Sequence, residues 1–263
     1  MGEVFRKIVS RVMLRQLGET PARAVGPHQF GVARPGGLEA VVLALRILLE
    51  DDPQNVILSI DVSNAYNTFD RHLALRIMME NPDLASCVPF LRMLYGSPAL
   101  MLFDKAQDDI HVIKSERGTQ QGDPWSSLLF SLVHTHAMDR VRARHPDITA
   151  LSYQDDTNVV TDIHTAAKML ATVEDEFARV GLSINKSKCV LYSRSPVPPS
   201  VLHTLSGVTI SYEGLVVLGS PVGSDSFMRA QVQTKLQSFM EGATLLPRMK
   251  DPQAAFKLSA LWC

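Results

Sequence analysis

Three carboxylates are the residues best placed to do chemistry. Asp61 lies at the end of a hydrophobic run, NVILSIDV, and Asp155 and Asp156 stand side by side between two runs of strand formers, 148–153 and 157–161. A charge next to a buried strand is costly unless it is paired or bound to a metal. Adjacent carboxylates also repel, which raises their proton affinity when no cation is near. Neighbouring strand residues point to opposite faces, so a tight turn is needed before both members of the pair can serve one site. If the tip of this hairpin meets the end of the Asp61 strand, Asp61 and Asp155 converge as oxygen ligands for a hard cation. Mg²⁺ takes such ligands and keeps room for substrate phosphates. Two ions about 4 Å apart can activate a 3′-hydroxyl and stabilise a leaving pyrophosphate. Acidic turns are also common as plain solvated turns, and the pair alone leaves that reading open.

Composition narrows the classes. With 263 residues, 46% of them hydrophobic, and a formal net charge of -1, the chain can bury a real core and is not disordered as a whole. No uncharged apolar run reaches about 18 residues, so no membrane span is expected; the best candidate, 38–49, is broken by Glu39 and Arg46. Cys87, Cys189 and Cys263 are odd in number and scattered, which argues for a reducing compartment and against a disulfide framework or a Cys-based zinc site. His134 and His136 are two apart on a helix and diverge, as packing or surface residues do. Acids crowd 51–109, whereas bases crowd the first fifty residues and the stretch after Lys186. That pattern suits a metal site within a phosphate-binding groove, and equally an ordinary charged surface.

The elements that must position the carboxylates follow from periodicity. Helices are predicted over 4–17, 38–50, 72–79, 84–94, 126–144 and 164–180, with a last one from about Ser226. Strands are predicted over 55–62, 99–103, 110–113, 148–153, 157–161 and 188–192, with two short ones near Val208 and Val216. The order implies an α+β layer, helices packed on an antiparallel sheet. The Pro-rich loop at 196–199 is the expected internal boundary.

Six motifs, in order, then resemble those of reverse transcriptases of the non-LTR retrotransposon and group II intron type. QFGVARPGG at 29–37 resembles a fingers motif, DVSNAYNTFD at 61–70 the first catalytic motif, and RGTQQGDPWSSLLF at 117–130 the second. YQDD at 153–156 matches the Tyr-x-Asp-Asp box, GLSINKSK at 181–188 resembles the fourth motif, and Leu218-Gly219 the primer grip. The resemblance covers roughly residues 5–225. It implies a polymerase palm with a partial fingers subdomain: 1–54 partial fingers, 55–195 palm, and 196–263 primer-grip region and C-terminal helix with the thumb absent.

The resemblance also implies roles. Asp61, Asp155 and Asp156 would be the metal site for two Mg²⁺ ions, with Mn²⁺ as a substitute. The backbone from Val62 to Ala65 would lie by the triphosphate. Tyr66 would stack under the sugar and exclude a 2′-hydroxyl, where otherwise it reads as a core aromatic. Gln121 and Gly122 would border the incoming nucleotide, where otherwise they form a helix-entry loop. Arg34 would contact the triphosphate, and Lys188 would protonate or neutralise the leaving pyrophosphate; both also read as solvated cations. Expected partners are an RNA template, a DNA primer and dNTPs, in an intracellular setting, nucleus or cytoplasm. The chain departs from the pattern at Asn67, Trp125, Ser127 and Gln154, and Trp125 is expected to narrow the nucleotide pocket. An inactive palm that binds RNA or a protein is the alternative function, and a metal-dependent nuclease a third.

Overall fold

The computed structural model describes residues 4–104 and 110–262. Residues 1–3, 105–109 and 263 lie outside them. Helix α1 (Val4–Leu17) is followed by a one-turn helix α2 (Thr20–Ala24), which the periodicity did not predict, and by α3 (Gly37–Asp51). Pro21 in its first turn suits α2, because the missing N–H is one a helix start leaves unpaired anyway. Strand β1 (Val56–Ile60) leads through α4 (Ala65–Thr68), α5 (Arg71–Glu80), α6 (Pro82–Ala85) and α7 (Val88–Tyr95) to the hairpin β2 (Ala99–Asp104) and β3 (Ile110–Ser115). Then come α8 (Ser126–Arg144), β4 (Thr149–Tyr153), β5 (Asp156–Thr161) and α9 (Ile163–Arg179). Strand β6 (Val190–Tyr192), α10 (Pro199–Leu202), β7 (Thr209–Ser211), β8 (Gly214–Val217), β9 (Ser220–Gly223), α11 (Asp225–Ala243) and α12 (Pro252–Trp262) complete the order.

The main sheet runs β4-β5-β1-β6-β7. It is antiparallel except at its edge, where β7 pairs with β6 in parallel. The exception has a cause. The chain leaves β6 and returns through α10, and a crossover of this kind delivers the next strand in the same direction. Strand β1 is central and covered on both faces. Val56, Leu58 and Ile60 join the large core under α5, α8 and α9, while Ile57 joins a second cluster with Val41, Leu45, Leu215 and Val222 of α3 and the β8–β9 hairpin. A strand covered twice has to be apolar throughout, which is why NVILSI does not alternate. Each such side chain, fully buried, stabilises by about 1.5–3 kcal/mol.

Caps set two of the helices that pack on the sheet. Asp70 accepts from the N–H groups of His72 and Leu73 at the start of α5, and Asp162 does the same for His164 and Thr165 at the start of α9. Helix α8 is buried on nearly every side from Leu128 to Met138, with Ser131 and His134 among the buried residues, and its far end is exposed at Asp139 and Arg140. Trp125, expected to narrow the nucleotide pocket, is instead fully buried in the large core. Its backbone N–H donates to Asp123 Oδ1 at 2.9 Å, and the bend this closes belongs to a segment whose indole packs inward. Val197 and Val201 of the Pro-rich region also belong to the main core.

Candidate active site

The register of the sheet decides where the carboxylates go. Ile60 pairs with Thr157, so Asp61, one residue beyond β1, comes opposite Asp156 at the first residue of β5. Tyr153 pairs with Asp156, leaving Gln154 and Asp155 as a two-residue turn. Gln154 sits in the left-handed region at φ 57°. The hairpin tip and the end of the Asp61 strand therefore meet.

Asp61, expected inside a strand over 55–62, is instead the first residue beyond β1. Its carbonyl accepts from Asn185 N at 2.9 Å and its N–H points to Cys189 Sγ at 3.4 Å, while Val62 bridges Ile184. The segment 184–189 thus clasps Asp61 from the other side. There the chain tightens into a 3-10 turn, Lys186–Lys188, rather than starting a strand at Lys188. That turn leaves the Lys188 side chain exposed.

Two cavities adjoin the carboxylates. One, of about 420 Å³, is lined by Val62, Ala65, Tyr66, Gln121, Gly122 and Asp155, with Ser127 also on its wall. The other, of about 410 Å³, is lined by Asp61, Asp156 and Lys188 together with Thr209 and Ser211. Nine of the ten residues singled out in the sequence thus gather in two hollows at one end of the sheet. Arg34 does not join them. Its guanidinium donates to the carbonyls of Gly26 and Pro27, at 2.8 and 3.2 Å, lies 5.3 Å from the Phe30 ring, and lines a separate hollow with Arg23 and Glu19. A further hollow, of about 460 Å³, lies near Arg71, Arg117 and Arg179 and touches none of Asp61, Asp155 and Asp156. Its buried cation, Arg71, is already taken by the carbonyls of Gly118, Ser115 and Arg117.

The electrostatics are those of crowded anions. Burial raises the proton affinity of Asp155, and the charge of Asp61 raises it further. Asp156 is raised by burial, then by Asp155 and Asp61. The Tyr66 hydroxyl is pushed up to about 12 by burial and by Asp155, so it stays a neutral donor. Among the described residues, no three Asp, Glu, His or Cys side chains form a ready-made metal cage.

Tyr66 stands on the short helix α4, its ring centroid 5.0 Å from that of Phe130 on α8 and its hydroxyl donating to Gln154 Oε1 at 2.7 Å. The loop before α8 is sewn beneath it. Thr119 N donates to Tyr66 O at 2.7 Å, and Gly118 N to Phe69 O at 2.8 Å. Gly118 has φ 56°, and a Cβ there would stand 2.2 Å from Tyr66 O, so only glycine fits. Asp123, at the far side of this loop, is held by Arg6 of α1 and by the Tyr95 hydroxyl at 2.6 Å.

Sequence reasoning missed Gln29, Gly118 and Asp123. Each lay inside a motif that was read for other residues. Their partners are Gln154, Tyr66 and Arg6, distant in sequence, and no local signal names such partners.

Residues 3–222 match the family model described as reverse transcriptase (RNA-dependent DNA polymerase). The chain belongs to that family. Among curated proteins, the retrotransposable element SLACS 132 kDa protein of Trypanosoma brucei gambiense is 22% identical over 185 residues, 70% of this chain. The chain spans 15% of that protein's length. Among solved structures, telomerase from Candida albicans, in complex with a fragment of telomeric RNA, matches with a TM-score of 0.57 at 13% identity, over 86% of this chain and 39% of that one. Apo telomerase from Candida tropicalis, truncated from its C-terminal domain, matches with a TM-score of 0.50 at 15% identity, over 71% and 40% of the two chains. These likenesses establish the reverse transcriptase fold, with its sheet backed by helices. Among the described residues, no helix of this reverse transcriptase domain is long and apolar enough to cross a membrane.

Proposed function

We propose that this chain carries out RNA-templated DNA synthesis, as the fingers and palm part of a retroelement reverse transcriptase. The observation that carries the reading is the meeting of Asp61, Asp155 and Asp156 at the ends of β1 and β5, beside a cavity walled by Tyr66, Gln121 and Gly122. The reaction is attack of a primer 3′-hydroxyl on the α-phosphate of a dNTP, with pyrophosphate leaving. Protein side chains supply little covalent chemistry in such a transfer; positioning and charge dominate.

The donor set fits a hard divalent cation in kind. It is all carboxylate, and Asp155 and Asp156 hold protons more tightly than usual because they are partly buried and because negative charge is crowded there. Asp61, Asp155 and Asp156 would hold Mg²⁺, or Mn²⁺ in its place, with substrate phosphates completing the ligands. Bound there, such ions supply Lewis acidity and lower the pKa of the attacking hydroxyl. The chain's own residues do the rest. Tyr66 presents its ring to the sugar, and the loop holding Gln121 and Gly122 sets the wall opposite the carboxylates. The exposed Lys188 ammonium stands in the hollow shared by Asp61 and Asp156, free to neutralise or protonate a departing pyrophosphate.

Primer extension on an RNA template with dNTPs and Mg²⁺ tests this. The unaltered chain is expected to extend the primer, and Asp155→Asn and excess EDTA are each expected to stop it. Equal extension by parent and Asp155→Asn, or none by the parent, overturns the polymerase reading. RNA binding without extension would favour the binding-module alternative.

A further inference from the structure

Gln154 lines neither hollow described above, yet its backbone is held in a conformation that costs a side-chain-bearing residue free energy. Gln29 is what holds it. This glutamine is 1% exposed; its Oε1 accepts from Gln154 N at 2.7 Å and from Gly31 N at 3.0 Å, and its Nε2 donates to Gln154 O at 3.1 Å. One side-chain amide therefore satisfies both backbone groups of the turn residue. On either side of Gln29, the loop backbone is zipped to β4. Phe30 N donates to Ser152 O at 2.7 Å, and Ser152 N donates to His28 O at 2.9 Å. Gly31 lies so close that a Cβ there would stand 2.6 Å from Gln154 N.

The Gln154 side chain then faces two ways. Its Nε2 donates to Gly31 O, and its Oε1 accepts the Tyr66 hydroxyl at 2.7 Å. A continuous chain of hydrogen bonds runs from the 28–31 loop through this amide to the aromatic ring. A steric filter selects only as well as its ring is held. Phe130 packs on the ring of Tyr66, and the hydroxyl bond to Gln154, with Ser127 beside the same hydroxyl, holds its tip.

We propose that Gln154, backed by Gln29, is a positioning residue for sugar selection, tying Tyr66 to the 28–31 loop so that exclusion of a ribonucleotide depends on that loop as well as on the ring. The proposal rests on the reading of Tyr66 as the ring that lies under the sugar of an incoming dNTP. It assigns to the glutamine of YQDD a function separate from that of the two aspartates.

The test is the ratio of kcat/KM for a dNTP to that for the matching rNTP, measured on one RNA template and DNA primer. The variants are Gln154→Met, Tyr66→Phe and the double variant, with Gln29→Leu as an independent break in the same chain of bonds. Loss of one such bond is expected to lower the ratio about tenfold in each single variant, and the double variant should fall no further than Tyr66→Phe alone, because Gln154→Met and Tyr66→Phe break the same bond. A merely structural role would lower both rates together and leave the ratio in place. Ratios within about twofold of the parent in both Gln154→Met and Tyr66→Phe overturn the proposal, as does a double variant showing the summed loss of the two. Where turnover fails, the ratio of dissociation constants for dNTP and rNTP on a dideoxy-terminated primer reads the same quantity and decides in the same way. Parent protein that neither extends a primer nor binds either nucleotide overturns the polymerase reading itself and the proposal with it; binding with an unchanged ratio overturns the proposal alone.

Discussion

At the scale of single residues, the site is a place where stability and chemistry pull apart. Asp155 and Asp156 are raised in proton affinity by burial and by negative neighbours. A carboxyl raised in the folded state binds protons more readily there than in the unfolded chain, so it favours folding at low pH. That contribution is lost as pH rises from the unfolded value through the folded one. At neutral pH the ionised Asp155 is a liability to the free protein. Asp155→Asn is therefore expected to stabilise the metal-free chain, by no more than about 1 kcal/mol because the group is partly solvated. If Asp155 holds a metal ion as proposed, the same change is expected to lower the rate of primer extension roughly a thousandfold, since several kcal/mol of charge stabilisation would go with it. Urea midpoints without Mg²⁺ and single-turnover rates with it check the two halves. A destabilised variant would show that the crowding of the carboxylates is not felt.

At the scale of elements, the loop 117–122 is what presents Gln121 and Gly122, and it does so by lying against the backbone of α4. Gly118 is the point of contact. Gly118→Ala would put a methyl group 2.2 Å from Tyr66 O in a left-handed conformation, so the loop or α4 must move. The expected cost is about 1–3 kcal/mol in stability, with KM for dNTP raised because both walls of the cavity shift. Thermal unfolding with steady-state kinetics reads both. The α8–α9 pair offers a contrast remote from the site. Glu176 on α9 is 1% exposed and meets Arg144 at 2.8 Å and Arg140 at 3.5 Å, both from α8. Removing a cation leaves a buried charge with fewer partners, whereas replacing the carboxylate with an apolar group leaves half-exposed arginines that water can serve. Arg144→Ala is thus expected to cost about 1–3 kcal/mol and Glu176→Leu less. Chemical denaturation of the two variants ranks them, and the reverse order would refute the argument.

At the scale of the whole molecule, the sheet is covered by a separate apolar cluster on each face, and one histidine packed within the larger links folding to pH. His134 on α8 is 1% exposed, with its Nε2 2.8 Å from Thr157 Oγ1 on β5. Burial, aided by Arg142, lowers its pKa from 6.5 to about 3. The folded state keeps it neutral while the unfolded chain takes a proton below 6.5. Stability is therefore complete above that value and is lost as pH falls towards the folded value, at up to about 1.4 kcal/mol per pH unit. His134→Gln is expected to flatten this acid limb in urea midpoints taken from pH 7 to 4; an unchanged slope assigns the limb to other groups. Much of the architecture was legible beforehand. The apolar run before Asp61, the hairpin around the acidic pair and the long helix from Ser126 follow from local periodicity and turn chemistry, which a chain carries wherever it folds. The carboxylates were legible too, because an acid in an apolar setting is costly without a use. Contacts across the chain were not. Nothing near Arg34 announces that it binds its own loop, nothing near Trp125 that it faces the core, and nothing near Gln29 that its partner is Gln154. Residue types and short spacings set which elements form and which side chains are costly to hide. Only packing decides which distant backbone groups those side chains satisfy, because that depends on the register and faces of elements brought together from across the whole sequence.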